Sequence, residues 1–507
     1  MRLLACPHYL LDLVQLCNQV LLFIAWYIIT SITSYLPLRH IPGPPLLVHS
    51  VLYQAIRASQ AKLPADLYRA IQKYGHIVRV GPNHIVTDEP EMLRRSWGVR
   101  SEYTRSRWYL SMRLHPERDN VVSMTDEQAH NTMRTKLSPG YSGREVDDLE
   151  ERVDRNVVAL VNLIGEKYAR EEGKAMDLSK KIQYVTMDVL SDVAFSERFG
   201  FVERDEDLWK YIETLEDNFP AMMVFSALPW VVDVMRWKIF RALMPGEKDL
   251  FGLGRVIAGY RYSVSNKVVA KRFGADKETV RDMLGSFIKN GLTQEEAESE
   301  TMLQIIAGSD TSAGSIRTAL YHLMTHPQVM ERLRQEIDSR HLSWPIVEDA
   351  ETREMPYLHA VICENHRVLP PVGGLMPKVS PPGGDTLNGV YIPPGTEVGV
   401  SWTGLMRRKD LWGENPEEFD PGRFLDGAAP LEVLRERKAV ADMVFGHGRF
   451  RCLGRTVAFL EVTKVVVELV RRFDMTFVDP NNPWEYKAYG VNRIRNFWVT
   501  VKPRKSG

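Results

Sequence analysis

Phe445-Gly446-His447-Gly448-Arg449-Phe450-Arg451-Cys452-Leu453-Gly454 is the stretch that decides how the rest of the chain is read. Apolar residues at helical spacing follow it, Val457, Leu460, Val465 and Val466 among them, so Cys452 is expected just before a helix N-terminus. Free N–H groups and the helix dipole favour negative charge there. Arg449, Arg451 and Arg455 push the same way, which predicts a thiolate. Gly446, Gly448 and Gly454 permit a tight backbone and the close approach of a flat partner. A thiolate offered to a planar group suits axial ligation of haem iron. A lone cysteine before a helix is ordinarily an inert buried side chain; the glycines around it and the phenylalanine seven residues earlier shift the reading to ligation.

Working outward, the chain has 507 residues, with 65 Lys+Arg balancing 65 Asp+Glu, so no global positive charge grips nucleic acid. Its 34 Gly and 29 Pro are near average usage, which excludes collagen-like and wholly disordered classes. Cys6, Cys17, Cys363 and Cys452 show no CxxC spacing, so zinc ribbons and dithiol chemistry have no support. From about Asp147 to Met330 the pattern is mostly helical. Ile77–Val80 and His84–Val86 around Gly81-Pro82-Asn83 read as strand, turn and strand, and strand-like pieces return at 389–400 and 496–501. The expected fold is mainly α with a small β component, one large domain over residues 46–507.

The 24 residues Leu13 to Leu36 carry no charge. As a helix they reach roughly 36 Å, enough for a hydrocarbon core of about 30 Å, so residues 13–36 are expected as a transmembrane anchor behind a short lumenal segment, 1–12. Arg39, Arg57 and Lys62 follow it and only Arg2 precedes it, which places the bulk on the cytosolic side. Residues 37–45 end in Ile41-Pro42-Gly43-Pro44-Pro45, read as a stiff hinge.

Three further constellations carry chemistry. Ala307-Gly308-Ser309-Asp310-Thr311-Ser312 lies within a helix expected from about Glu295 to Met324. Gly308 costs that helix about 1 kcal/mol, consistent with a backbone opened over a ligand, and Asp310 and Thr311 set a carboxylate and a hydroxyl beside the gap as a proton source. Glu364 and Arg367 have a spacing shared by several ordinary helix pairs, but Glu364 stands 88 residues before Cys452 and the pair is followed by Pro421-Gly422-Arg423-Phe424. His130 and Arg134, at i and i+4, put two cations on one helix face.

With these motifs in this order, Ile41 to Arg504 resembles the cytochrome P-450 haem-thiolate monooxygenases. Their cysteine loop reads FxxGxRxCxG, matched at Phe445, Gly448, Cys452 and Gly454; the usual arginine is Phe450 here, so the loop's haem-propionate contact is unassigned between Arg449 and Arg451. The resemblance implies haem b on Cys452, with Gly446, Gly454 and Arg449 in its loop and His130, Arg134 and Lys378 toward the propionates. It also implies Asp310 and Thr311 as the oxygen-activating pair, and Glu364, Arg367 and Arg423 as a structural triad. Pocket walls are implied around Arg107–Leu110, at Ile306 and Ala307, over Val372–Met376 and near Tyr489–Asn492. The likeness is greatest to microsomal members from filamentous-fungal secondary metabolism. It implies a single-pass protein of the endoplasmic reticulum membrane that oxidises a lipophilic small molecule with O₂ and with electrons from NADPH through a separate NADPH-cytochrome P-450 reductase. Basic residues for docking that reductase are Arg435, Arg437, Lys438, Arg449, Arg451 and Arg455, with Arg134 and Lys136. A haem-thiolate isomerase or dehydratase tends to lose the acid–alcohol pair, and a haem sensor needs only the cysteine loop; Asp310 and Thr311 favour the monooxygenase.

Overall fold

The computed structural model describes residues 18–19, 21–22, 25, 28–30, 32–33, 35–115, 118–235, 263–273 and 280–505. Five helices position the site. They are α1 (Glu127–Tyr141), α2 (Leu178–Phe195), α3 (Gln294–Thr325), α4 (Pro356–Val368) and α5 (Arg455–Arg472). Helix α3 opens on a reciprocal cap, in which Thr293 and Glu296 each satisfy the other's backbone N–H. From Ala297 to Leu323 it is buried on nearly every side, as an interior helix must be. Helices α2 and α5 pack along it. Val457, Leu460, Val465 and Val466 of α5 are all buried, as their spacing predicts.

The main sheet has five short strands, β1 (Ile77–Arg79), β2 (His84–Thr87), β3 (Thr104–Arg105), β4 (Lys378–Val379) and β5 (Glu397–Val400), in the spatial order β1-β2-β5-β4-β3. The expected turn at Gly81-Pro82-Asn83 joins β1 to β2 with Ile77 opposite Thr87. Only β2 and β5 run parallel; the other pairs are antiparallel, and in the edge pair Arg105 stands directly opposite Lys378. A second sheet sets Trp498–Pro503 between Ala175–Asp177 and Phe473–Phe477. The fold is thus mainly helical with small sheets, in agreement with the sequence reading. The Gly- and Pro-rich span that follows β5 contains the short helices Trp402–Leu405 and Lys409–Trp412 and a longer one, Leu431–Asp442, preceded by Pro430.

The proline-rich segment is docked on the body. Leu38 and Ile41 are buried against Ile77, Ile85 and Tyr103, and Arg79 donates its backbone N–H to Pro42 O at 2.8 Å. Pro45 opens a helix, Pro45–His49, because a proline at the first helical position forfeits no hydrogen bond. Among the described residues no helix is long and apolar enough to cross a membrane. The expected lumenal segment 1–12 and most of the expected anchor 13–36 lie outside the described residues.

Candidate active site

The cysteine loop is built by its own backbone. Cys452 N–H donates to Phe445 O at 2.6 Å, closing the loop. Gly446 has φ +76°, and a Cβ there would sit 2.5 Å from Phe450 O; Gly448 has φ +54°, and its Cβ would meet Trp97 O at 2.4 Å. Both positions therefore need glycine to form the loop. Gly446, expected against the cofactor, faces the loop's own backbone because the chain doubles back there. At Gly454 an added Cβ would lie 3.9 Å from the sulfur, an ordinary contact on the side the thiol faces.

Cys452 is exposed to solvent-sized space although protein surrounds it, so its sulfur opens on an internal hollow. Burial raises the thiol's pKa, while N–H groups of Gly454 and Arg455 and the charges of Arg134 and Arg455 lower it. The three expected arginines do not act together. Arg451 pairs with Asp442 at 2.5 Å, and Arg449 donates to Tyr103 O; Arg455, although it also pairs with Asp442 at 2.8 Å, and the unforeseen Arg134 are the charges that favour the thiolate. The thiol becomes a thiolate when a metal displaces its proton.

The structure brings His130, Lys378 and Arg449 together around the ring of Phe450. Its centroid lies 4.3 Å from Lys378 Nζ, 5.0 Å from the Arg449 guanidinium and 5.5 Å from the His130 ring. Arg105 joins them at 4.9 Å, a residue that the motif reading passes over. The absent arginine at position 450 is the signal that something else must carry its charge. His130 is fully buried and neutral, its pKa pushed down to about 3 by burial and by Arg105 and Arg134. Its Nε2 accepts a hydrogen bond from the Arg105 guanidinium at 2.6 Å. Lys378 is buried as well and donates to Tyr109 Oη at 2.6 Å, with its pKa lowered by burial and by Arg105. Among the described residues, Glu127 is the carboxylate that faces this group, 3.5 Å from Arg449 Nε. Buried cations in such excess need an anion, and the paired propionates of a haem provide two negative charges. The residues present fit a haem, with Cys452 for the iron and this cationic group for the propionates.

On α3, Ile306, Ala307, Gly308, Asp310 and Thr311 break the burial around a fully buried Ser309, and Ala307 is exposed in mid-helix. Thr311 Oγ1 donates to Ala307 O at 2.9 Å. Asp310 is held by α2, where Gln183 Nε2 donates to Asp310 Oδ1 at 2.8 Å and Gln183 Oε1 accepts from Arg317 at 2.9 Å. Gly308 also serves the packing of the helices. A Cβ there would meet Leu190 Cδ1 at 3.0 Å, so this glycine lets α2 close on α3.

Behind the loop, Arg367 forks onto Glu364 with two bonds of 2.7 Å, and Arg423 Nε lies 3.4 Å from Glu364 Oε1. The remaining N–H groups of Arg367 reach the carbonyls of Met406, Pro416 and Glu418. The predicted triad is thus assembled, fully buried around Glu364 and Arg367. A separate apolar cleft is lined by Leu67, Trp108, Met223, Leu375 and Tyr489. Three of the four expected wall stretches contribute to it; Ile306 and Ala307 do not.

These features define a haem-thiolate protein. Residues 42–493 match the cytochrome P450 family, and the chain belongs to it. It is 37% identical to cytochrome P450 monooxygenase ABA1 of Pyricularia oryzae over 94% of this chain and 95% of that one. It is 34% identical to cytochrome P450 monooxygenase aba1 of Botryotinia fuckeliana, covering 92% of each, and 34% identical to abl1 of Leptosphaeria maculans, covering 93% of this chain and 84% of that one. The protein is an oxygen-incorporating oxidoreductase that uses haem with a cysteine thiolate ligand and electrons passed from NAD(P)H by a reductase.

Proposed function

We propose that this chain is a membrane-anchored monooxygenase that inserts one atom of O₂ into a lipophilic small molecule of fungal secondary metabolism. The observation that carries this reading is the partly open face of Ile306, Ala307, Gly308, Asp310 and Thr311 on an otherwise buried helix, combined with a cysteine sulfur facing internal space. When bound, the haem supplies dioxygen activation. Cys452 would hold the iron, with Gly454 leaving its sulfur accessible, and Lys378, His130, Arg134 and Arg449 would hold the propionates. Thr311 Oγ1 and the Asp310 carboxylate hold and pass the protons that O–O cleavage consumes. Gln183 keeps that carboxylate pointed inward. The apolar side chains of Trp108, Met223, Leu375 and Tyr489 suit a lipophilic substrate.

In this reading residues 1–12 are lumenal, 13–36 span the endoplasmic reticulum membrane, 37–45 set the pose of the body, and 46–507 form the cytosolic catalytic domain. NADPH-cytochrome P450 reductase is the electron donor. Arg435 and Lys438 are exposed on Leu431–Asp442 and suit an acidic docking face, whereas Arg437 donates to Leu411 O and Arg449 and Arg134 turn inward. The test is a thiolate-type spectrum of the reduced, CO-bound protein, then NADPH consumption with reductase, O₂ and host extract. One oxygen atom from ¹⁸O₂ in a product supports the reading; rearrangement or dehydration without reductant use overturns it.

A further inference from the structure

We propose that the side-chain N–H of Gln54 binds a neutral oxygen atom of the substrate, so that the molecule oxidised here is a lipophilic compound already bearing a carbonyl, hydroxyl or ether oxygen. The inference rests on the monooxygenase reading and narrows its substrate class. Its first support is where the glutamine stands. The helix Val51–Ser59 is capped by Ser50, whose Oγ accepts from Tyr53 N–H at 3.1 Å. That helix turns Gln54, Ala55 and Ala58 inward and leaves Leu52 and Ile56 exposed. It packs on the helix Tyr211–Ala227, and Gln54 lines the apolar cleft beside Trp108, Met223 and Leu375. Gln54 is 0% exposed, in a position that an apolar side chain ordinarily fills.

The second support is how the amide is held. His84 on β2 stands directly opposite Glu397 on β5, and its Nε2 donates to Glu397 Oε2 at 2.7 Å. Its Nδ1 lies 3.3 Å from Gln54 Oε1. Burial works against the charged imidazole, but the charge and hydrogen bond of Glu397 outweigh it and raise the pKa. Nδ1–H therefore donates to Gln54 Oε1, which fixes the amide with its nitrogen turned the other way. Gln54 Nε2 is fully enclosed and has no hydrogen-bond partner among the described residues. The third support is the charge around it. Among the described residues lining the cleft and the small space that continues it past Gln54, the charged side chains are His84 and Glu397, and they neutralise each other. A buried donor without a partner calls for an acceptor, and with no net charge left to draw an anion, that acceptor is neutral. A substrate lacking the oxygen is rejected because the donor then stays unpaired.

The competing account is a trapped water that satisfies Gln54 Nε2 in every state. Binding of 2-undecanone, undecane and undecanoate to the holoenzyme separates the two, read from the shift of the haem Soret band in wild type, Gln54→Met and Gln54→Asn. Comparing the proteins one compound at a time cancels the compounds' different solubilities. The Kd of the ketone should rise about tenfold in Gln54→Met, the worth of one hydrogen bond between neutral groups, and that of undecane should change by less than about twofold. Gln54→Asn keeps the amide but withdraws it by one carbon, and it should weaken the ketone in the same way. With no compound added, Gln54→Met should melt no lower than wild type, because it removes an unpaired buried donor. Wild type should bind undecanoate more weakly than the ketone. Unchanged affinities in Gln54→Met, equal losses for ketone and undecane, tighter wild-type binding of undecanoate than of 2-undecanone, no Soret shift with any of the three, or failure of both variants to fold overturns the proposal. Absence of a thiolate-type CO spectrum in the wild type is a different result, and it overturns the reading on which the proposal rests.

Discussion

Replacing Glu364 by Gln tests whether the core behind the cysteine loop hangs on one buried charge pair. Glu364 and Arg367 are both 0% exposed. Glu364 Oε1 accepts from Arg367 at 2.7 Å and from Asp420 N–H at 2.8 Å, and Oε2 accepts from Arg367 Nε at 2.7 Å. Whichever oxygen becomes the amide nitrogen, it faces at least one N–H donor, and Arg367 is left as a buried cation with its counter-charge removed. Breaking such a pair costs about 3–5 kcal/mol. The damage should fall on the carbonyls of Met406, Pro416 and Glu418 that Arg367 gathers, and so on the segment leading into the loop. Urea unfolding followed by the thiolate-type CO spectrum measures it. The control is Glu331→Gln, since Glu331 has the same spacing to Arg334 but is exposed; it should change stability by less than about 0.5 kcal/mol. A cost for Glu364→Gln below about 1 kcal/mol, or no larger than the control, refutes the reasoning.

Cys452→Ser should abolish the thiolate-type spectrum and turnover, because a neutral hydroxyl lacks the electron-rich sulfur; retention of that spectrum would show that another residue holds the iron. Thr311→Ala should keep haem but raise hydrogen peroxide formed per NADPH, and Asp310→Asn should lower turnover more than substrate affinity; fully coupled product formation by both variants removes them from proton delivery. Gly446→Ala should cost at least about 1–2 kcal/mol for its positive φ alone, and more because its Cβ meets Phe450 O at 2.5 Å, whereas Gly427→Ala, at φ +85° with open space, should cost only the backbone term; equal losses in thermal unfolding would contradict the close approach. Burial raises the pKa of Glu461 to about 8, so between about pH 4.5 and 8 the unfolded state sheds a proton the folded state keeps, and stability falls as pH rises. Glu461→Gln should remove a slope of up to about 1.4 kcal/mol per pH unit there, read from urea midpoints across that range; an unchanged slope would mean the carboxyl is ionised in the folded protein.

The local motifs were legible because each is short and answers to a local rule. A glycine-rich turn before a periodic helix predicts the cysteine loop, and period-3.6 burial predicts α5, whatever lies elsewhere in the chain. The acid–alcohol pair and the Glu364–Arg367 pair are likewise separated by one helical turn or less. What the sequence by itself determined is therefore the class of fold, the cysteine loop and the helix that carries the acid–alcohol pair. Tertiary structure alone decided the rest, since it depends on elements far apart in the chain. Arg105 and Lys378 become neighbours only when β3 pairs with β4. The charge of Arg134 is brought to bear on the sulfur, while Asp442 takes both Arg451 and Arg455. Gly308 also makes room for Leu190 of α2, a neighbour that a reading of α3 alone does not show. In each case the physical reason is the same. A side chain's charge and shape are fixed by its identity, but its partner is chosen by whichever group the packed core brings within reach.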